Sequence, residues 1–155
     1  MRIWGIFTIC VATLTNALAS YPPVLTEVIP RETSVDVCQY AFVAHVIAGD
    51  LIALQEKKGV TNAVIYGIAA PDGYWGLKAK AYLKWKVEGK PVSIEVIGRD
   101  GYGRLLIRCY KSGTDVALNM LAMGLAKTAP RTDPAMAIAQ EAAQKNRVGM
   151  WGGAK

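Results

Sequence analysis

The scarcest chemistry in this chain is histidine. Of 155 residues only His45 is one, and the three cysteines are Cys10, Cys38 and Cys109. A histidine-rich metal centre is excluded, and so is a closed four-thiolate zinc site. Triad hydrolysis would have to use His45 as its base. Nothing around it supports that, and inside the apolar run QYAFVAHVIA it reads as a hydrogen-bonded structural histidine. Acid is scarcer than base: twelve Asp plus Glu against eighteen Lys plus Arg give a formal charge of +6 and a pI near 9.3. That balance permits a polyanionic partner without identifying one. Charged residues are 19% and hydrophobic residues 52% of the chain, the reverse of a disordered composition, so a core can be buried. The length suits one ordinary domain of roughly 100–150 residues, not two. Internal repeats and low-complexity tracts are absent from the sequence.

No apolar run reaches the roughly 20 residues that a comfortable membrane span needs. The longest, Ile3–Leu14, follows Arg2 and leads into Asn16-Ala17-Leu18-Ala19-Ser20. A charged start, an apolar stretch and a small-residue site describe an export signal, so residues 1–19 are expected to be a signal peptide cleaved after Ala19. Thr8, Thr13, Thr15 and Asn16 interrupt the run, and a retained N-terminal anchor is the alternative. The expected location is periplasmic or secreted, with no stable membrane span once the signal is removed. Residues 20–37, with Pro22, Pro23 and Pro30, read as a leader segment ahead of a domain at 38–155. Cleavage removes Cys10 and leaves Cys38 and Cys109 in an oxidising compartment. A bridge closing that loop of roughly 70 residues would contribute on the order of 4 kcal/mol in the loop-entropy model. Two buried, reduced thiols are the competing reading.

Within the domain, Gln39–Ala48 and Leu51–Gln55 are β-rich runs on either side of Gly49-Asp50. Lys57-Lys58-Gly59 supplies a hairpin turn before a third run, Thr61–Ile68. The period then changes. In Leu77–Glu88, Ala79, Tyr82, Leu83 and Val87 share one helix face, and Gly89 ends the segment. Its lysines, Lys78, Lys80, Lys84 and Lys86, do not share a face, so they predict a solvated helix. Val92–Ile97 and Leu105–Tyr110 are strands joined by the glycine-rich loop 98–104. Asp115 can cap a helix ending near Gly124, Pro134 opens an alanine-rich helix to about Arg147, and Gly149-Met150-Trp151 follows as an apolar clasp. Three strands, a helix, two strands and two helices predict a small α+β domain whose strands curl into a barrel to bury both edges.

The markers Ile47-Ala48-Gly49-Asp50, Gly67-Ile68-Ala69-Ala70-Pro71-Asp72 and Asp100-Gly101-Tyr102-Gly103-Arg104 occur in this order. Gly124-Leu125-Ala126-Lys127 and Glu141 through Gly149-Met150-Trp151 follow. In that order and spacing the chain, from about Gln39 to Trp151, resembles the staphylococcal nuclease (thermonuclease) family. The resemblance implies a five-stranded OB-type β-barrel with three α-helices and calcium-dependent hydrolysis of DNA and RNA phosphodiesters. In that chemistry carboxylates gather a calcium ion, which takes roughly 6–8 oxygen ligands. A loop glutamate acts on the water, and two arginines neutralise charge building on the phosphate, a task suited to a planar guanidinium fork.

Carried over position by position, the implied site is incomplete. Asp50 matches the first calcium carboxylate, and Arg104 matches the arginine of the glycine-rich loop. Asp72 stands where the glutamate belongs and is one methylene shorter. Val64 replaces the strand-three arginine and Ala69 the second calcium aspartate. Ala70 stands where a threonine usually offers its carbonyl, which a backbone group still provides. Tyr102 remains in the substrate groove, while two aromatic positions there are Pro130 and Thr132. Losing a phosphate-clamping arginine costs about 10³–10⁵ in rate in related phosphoryl chemistry.

The expectation is therefore an exported, monomeric nuclease-like domain with impaired catalysis, a doubtful calcium site at Asp50 and at most weak binding of DNA, RNA or another polyanion through Tyr102 and Arg104. Two alternatives stand beside it. One is an active nuclease with a rearranged site of Asp50, Asp72 and Arg104. The other is a non-enzymatic accessory protein of the envelope or of exopolysaccharide biology. The bland readings are a turn residue for Asp50, a surface arginine for Arg104, a polar loop residue for Asp72, a structural carboxylate for Glu141 and a core plug for Trp151.

Overall fold

A computed structural model describes residues 39–153. The expected signal peptide, the leader and Cys38 lie outside the described residues. Five strands carry the architecture: β1 (Gln39–Val46), β2 (Leu51–Glu56), β3 (Gly59–Ile65), β5 (Pro91–Arg99) and β6 (Leu105–Lys111). Short ladders are made by β4 (Ile68–Ala69), β7 (Thr114–Asp115) and β8 (Lys127–Thr128). The helices are α1 (Gly73–Val87), α2 (Val116–Ala122) and α3 (Pro134–Lys145), followed by a 3₁₀ turn at Gly149–Gly152.

The strands run β3-β2-β1-β5-β6 with antiparallel neighbours, and β3 pairs in parallel with β6 to close the sheet on itself. Closure pairs β3 with β6, the two strands that would otherwise be the edges. The pairing Val64↔Leu106 within that seam fixes Val64 on the barrel wall. This is the five-stranded OB-type barrel with three helices that the family resemblance implies.

Packing follows from strand alternation and helix period. Val43, Ile52, Ile65 and Ile107 from the strands meet Leu83 of α1, Met120 and Leu121 of α2 and Met136 of α3 in one buried cluster. At roughly 25 cal/mol per Å² of apolar area, this burial is the main force holding helices to barrel. On α1 the face Ala79, Leu83, Val87 is fully buried, as its spacing predicts.

Several boundaries differ from the sequence reading. β1 stops at Val46 because the amides of Ile47 and Ala48 both turn to the Leu51 carbonyl, at 2.9 and 3.0 Å. β3 stops at Ile65 because Gly67, at φ +79, breaks the ladder, and Ile68–Ala69 then pairs with Lys127–Thr128. α1 begins at Gly73, one turn before Leu77. α3 ends at Lys145.

His45 is exposed rather than structural. A register shift between Val43 and His45 places an extra residue between the inward-facing Val43 and Val46, which turns the imidazole outward. Of the α1 lysines, Lys78, Lys80 and Lys84 are exposed and Lys86 is half-buried, as a solvated face requires.

α2 is set by its caps. The Asp115 carboxylate Oδ1 accepts the Ala117 and Leu118 amides at 2.8 and 3.2 Å, satisfying two first-turn donors of α2. Gly124, at φ +62, lets the chain turn back, and the Met150 amide reaches its carbonyl at 3.0 Å. Trp151 is half-buried beside this clasp, so it covers the core edge instead of plugging it. Glu141 is exposed and makes no side-chain bond among the described residues.

Candidate nucleic-acid site

Two cavities open beside the segment from Val64 to Asp72. The first, about 390 Å³, is lined by the turn Ile47–Asp50, by Ala70–Gly73 and by Gly76, Leu77 and Lys80 of α1. It brings Asp50 and Asp72 together. Asp50 is placed by its backbone and side chain alike: its carbonyl accepts the Ile65 amide at 2.9 Å, and Oδ2 accepts the Ala70 amide at 3.2 Å. Asp72 occupies the N-cap position of α1 without a side-chain capping bond, which leaves its carboxylate uncommitted to the helix. Gly49 is required here, because a Cβ would lie 2.7 Å from the Ala79 methyl.

The polar groups of this cavity are two carboxylates, nearby carbonyls and the ammonium of Lys80. Among the described residues no three His, Cys, Asp or Glu side chains cluster as a metal site would need. Ala69, on β4, adds no oxygen from its side chain. Calcium binding strengthens with carboxylate count. The residues present are a poor fit for a calcium cage.

The second cavity, about 370 Å³, is walled by Val64–Ile68, Leu106, Ala129 and Pro130 and rimmed by Arg99, Asp100, Gly101 and Arg131. Val64 therefore faces open space beside the glycine-rich loop.

That loop is built around Asp100. Its Oδ1 accepts the amides of Tyr102 and Arg104 at 2.9 and 3.0 Å, and its Oδ2 accepts Arg104 Nε at 2.6 Å. Burial works to raise this carboxyl, but the bonds from Arg104 and Tyr102 and the Arg104 charge hold it below the usual carboxylate range. Arg104 is thus oriented by an acid partner, and its guanidinium lies 5.2 Å from the centre of the exposed Tyr102 ring. The arrangement offers a planar cation beside an aromatic face, the pairing that phosphate and base ask for.

The site is consequently divided: Asp50 and Asp72 share one cavity, while Val64 lines the other, which the glycine-rich loop reaches through Asp100 and Gly101. Sequence reasoning had no role for Asp100, although an aspartate opening a glycine-rich turn signals a side-chain-to-backbone bond. Nor did it place Lys80, Arg99 or Arg131, which reach these cavities from separate elements.

Cys109 is fully buried, and burial with the Asp115 charge pushes its thiol up to about 12 against the opposing effect of Lys111. Its expected disulfide partner, Cys38, lies outside the described residues.

A closed five-stranded barrel with three helices, carrying acids on one rim cavity and an arginine loop on the next, defines a nuclease-type OB domain. The family described as staphylococcal nuclease homologue matches residues 52–153. The chain belongs to that family. Proteins named "Uncharacterized endonuclease" from Escherichia coli O157:H7 and from Escherichia coli are each 29% identical to it over 119 residues, covering 70% of this chain and 74% of theirs.

Proposed function

We propose that the chain is an exported nuclease-fold domain whose phosphodiester hydrolysis is impaired and which retains weak binding to nucleic acid. The observation that carries this reading is the pair Val64 and Ala69: one lines the cavity beside the arginine loop, the other follows Ile68 of that cavity and precedes Ala70 of the first, and neither supplies the cation or carboxylate that the family resemblance implies there. The Arg104–Asp100 pair beside Tyr102 supports continued recognition of phosphate. Export rests on the sequence of residues 1–19, and the mature domain is taken to begin near residue 38.

The alternative, an active enzyme with a rearranged site, is favoured by one feature: Asp50 and Asp72 line a common cavity with Lys80. The endonuclease naming of the relatives supports the same alternative. It predicts that Arg104→Ala abolishes a measurable activity.

Thermal unfolding of the mature chain, with and without calcium and a nucleoside bisphosphate, separates the readings. A ligand that prefers the folded state raises stability by RT ln(1 + [L]/Kd), about 2.7 kcal/mol at a hundredfold excess over Kd. The impaired reading expects no shift from calcium alone up to millimolar concentration and a small shift from the bisphosphate. A calcium shift corresponding to micromolar affinity would overturn it.

A further inference from the structure

The cavity walled by Val64 carries two arginines that the site described above leaves without a task. We propose that Arg99 and Arg131 supply, from two loops, the phosphate-facing positive charge that β3 does not supply at Val64. The inference rests on the nucleic-acid reading of this site and assigns the residues that do the binding.

Position comes first. Arg99 ends β5, and Arg131 lies between β8 and α3, yet both line the cavity that Val64 faces. A cation on this rim therefore addresses the same space as one on β3 would.

Charge points the same way. Among the described residues Asp100 is the only acid lining the cavity, and its two oxygens are taken by the Arg104 guanidinium and the backbone amides of Tyr102 and Arg104. Neither Arg99 nor Arg131 pairs with a carboxylate among the described residues. Arg99 donates Nη1 to the Gly103 carbonyl at 2.7 Å, which steadies the guanidinium and leaves its other donors for a ligand. Two unneutralised guanidinium groups on one rim select an anion.

Both arginines are mounted on anchored backbone. The segment carrying Arg131 is held on one side by the Ala129 amide bonding the Gly67 carbonyl at 2.9 Å and by the Thr128 amide bonding Gln140 at 2.8 Å. On the other side Asp133 pairs with Arg108, whose guanidinium lies over the Tyr66 ring at 5.6 Å. Binding then need not order the segment, which lowers its entropic cost.

The wall behind the arginines is apolar, with Val64, Ile68, Leu106 and Pro130, and the volume of about 370 Å³ falls within the range of roughly 300–1,000 Å³ usual for small-ligand pockets. An anionic head with a flat, apolar body fits this pairing, and a nucleotide unit has both.

The test is fluorescence anisotropy of the mature chain with a labelled single-stranded oligonucleotide over a series of salt concentrations. Each phosphate contact on a single strand contributes about 0.7 to the slope of log K against log salt. Relative to wild type, Arg99→Gln with Arg131→Gln is expected to raise Kd at least about tenfold at low salt and to reduce the slope by about 1.4. Arg99→Lys with Arg131→Lys is expected to recover the slope, and Lys57→Gln with Lys58→Gln, on the β2–β3 turn, to change little. Wild-type binding with an unchanged slope in the glutamine variant overturns this inference alone. An unaltered melting curve accompanying the expected loss shows that the fold is intact. A lysine variant that stays as weak as the glutamine variant also overturns the charge assignment. Absence of wild-type binding at low salt overturns the nucleic-acid reading, and this inference with it.

Discussion

Asp115 is the residue whose replacement should reveal most about how the C-terminal half is held. Among the described residues it is the buried charged side chain of the core, and one oxygen caps two amides of α2 while the other lies 3.7 Å from Arg108. Asp115→Ala removes the cap, which costs about 1 kcal/mol in ordinary helices. The Ala117 amide is buried, and leaving such a donor unsatisfied adds about 1–3 kcal/mol. The ion pair with Arg108 is long and Arg108 keeps Asp133, so its share is small. The expected loss is roughly 2–4 kcal/mol, a large fraction of a typical stability of 5–15 kcal/mol. For a domain of this size that corresponds to a fall of roughly 8–16 °C in Tm, at about 4 °C per kcal/mol. Asp115→Asn keeps an acceptor for the amides and should lose about 1 kcal/mol or less. Urea unfolding followed by circular dichroism measures both, with an unchanged m-value marking a stability effect. A loss below about 0.5 kcal/mol for Asp115→Ala would refute the claim that this carboxylate holds α2 onto the barrel.

Three other outcomes follow from the same structure. Gly124→Ala places a methyl against the Val148 carbonyl at a residue with φ +62, and should cost more than about 2 kcal/mol by chemical denaturation because neither backbone segment can give way. In a chain that begins at Ser20 and carries Cys38→Ser, the Cys109 thiol, pushed up to about 12, should resist alkylation at pH 8 until the protein unfolds; prompt labelling of the native form would contradict its burial. Acid stability depends on Glu88 and Asp100. The Val46 amide bond, opposed by burial and aided by Lys84 and His45, lowers Glu88, while burial acting on Asp100 is outweighed by its bonds from Arg104 and Tyr102. A carboxyl lowered in the folded state stabilises above its unfolded pKa and loses that contribution as pH falls through the folded value, here below about pH 4. Glu88→Gln with Asp100→Asn should therefore flatten the acid limb of a Tm-against-pH curve.

The barrel and its core were legible because strand alternation and one helix face are local signals: Ala79, Leu83 and Val87 are buried as their spacing demands. What escaped depended on backbone events that composition does not announce. The extra residue between Val43 and Val46 exposes His45, and Gly67 cuts a run that looks continuous through Ile68. α1 starts early because Gly76, which has no Cβ to strike the Pro71 carbonyl, lets the first turn of the helix pass close to it. In the site, the absences at Val64 and Ala69 were legible only through the family resemblance, which implies an arginine and an aspartate at those positions. The division into two cavities was not legible, nor was the approach of Arg99 and Arg131 to the wall at Val64, since barrel closure through the β3–β6 seam brings these segments together.

The central claim is that hydrolysis is limited by the groups absent at Val64 and Ala69. The direct measurement is the initial rate of calcium-dependent DNA cleavage by the purified mature chain, set against the Val64→Arg, Ala69→Asp double variant at equal foldedness. The account predicts wild-type cleavage at least about 10³ below that of the double variant, as loss of a phosphate-clamping arginine alone would suggest. A wild-type rate equal to that of the double variant, with both cutting DNA readily, would contradict it.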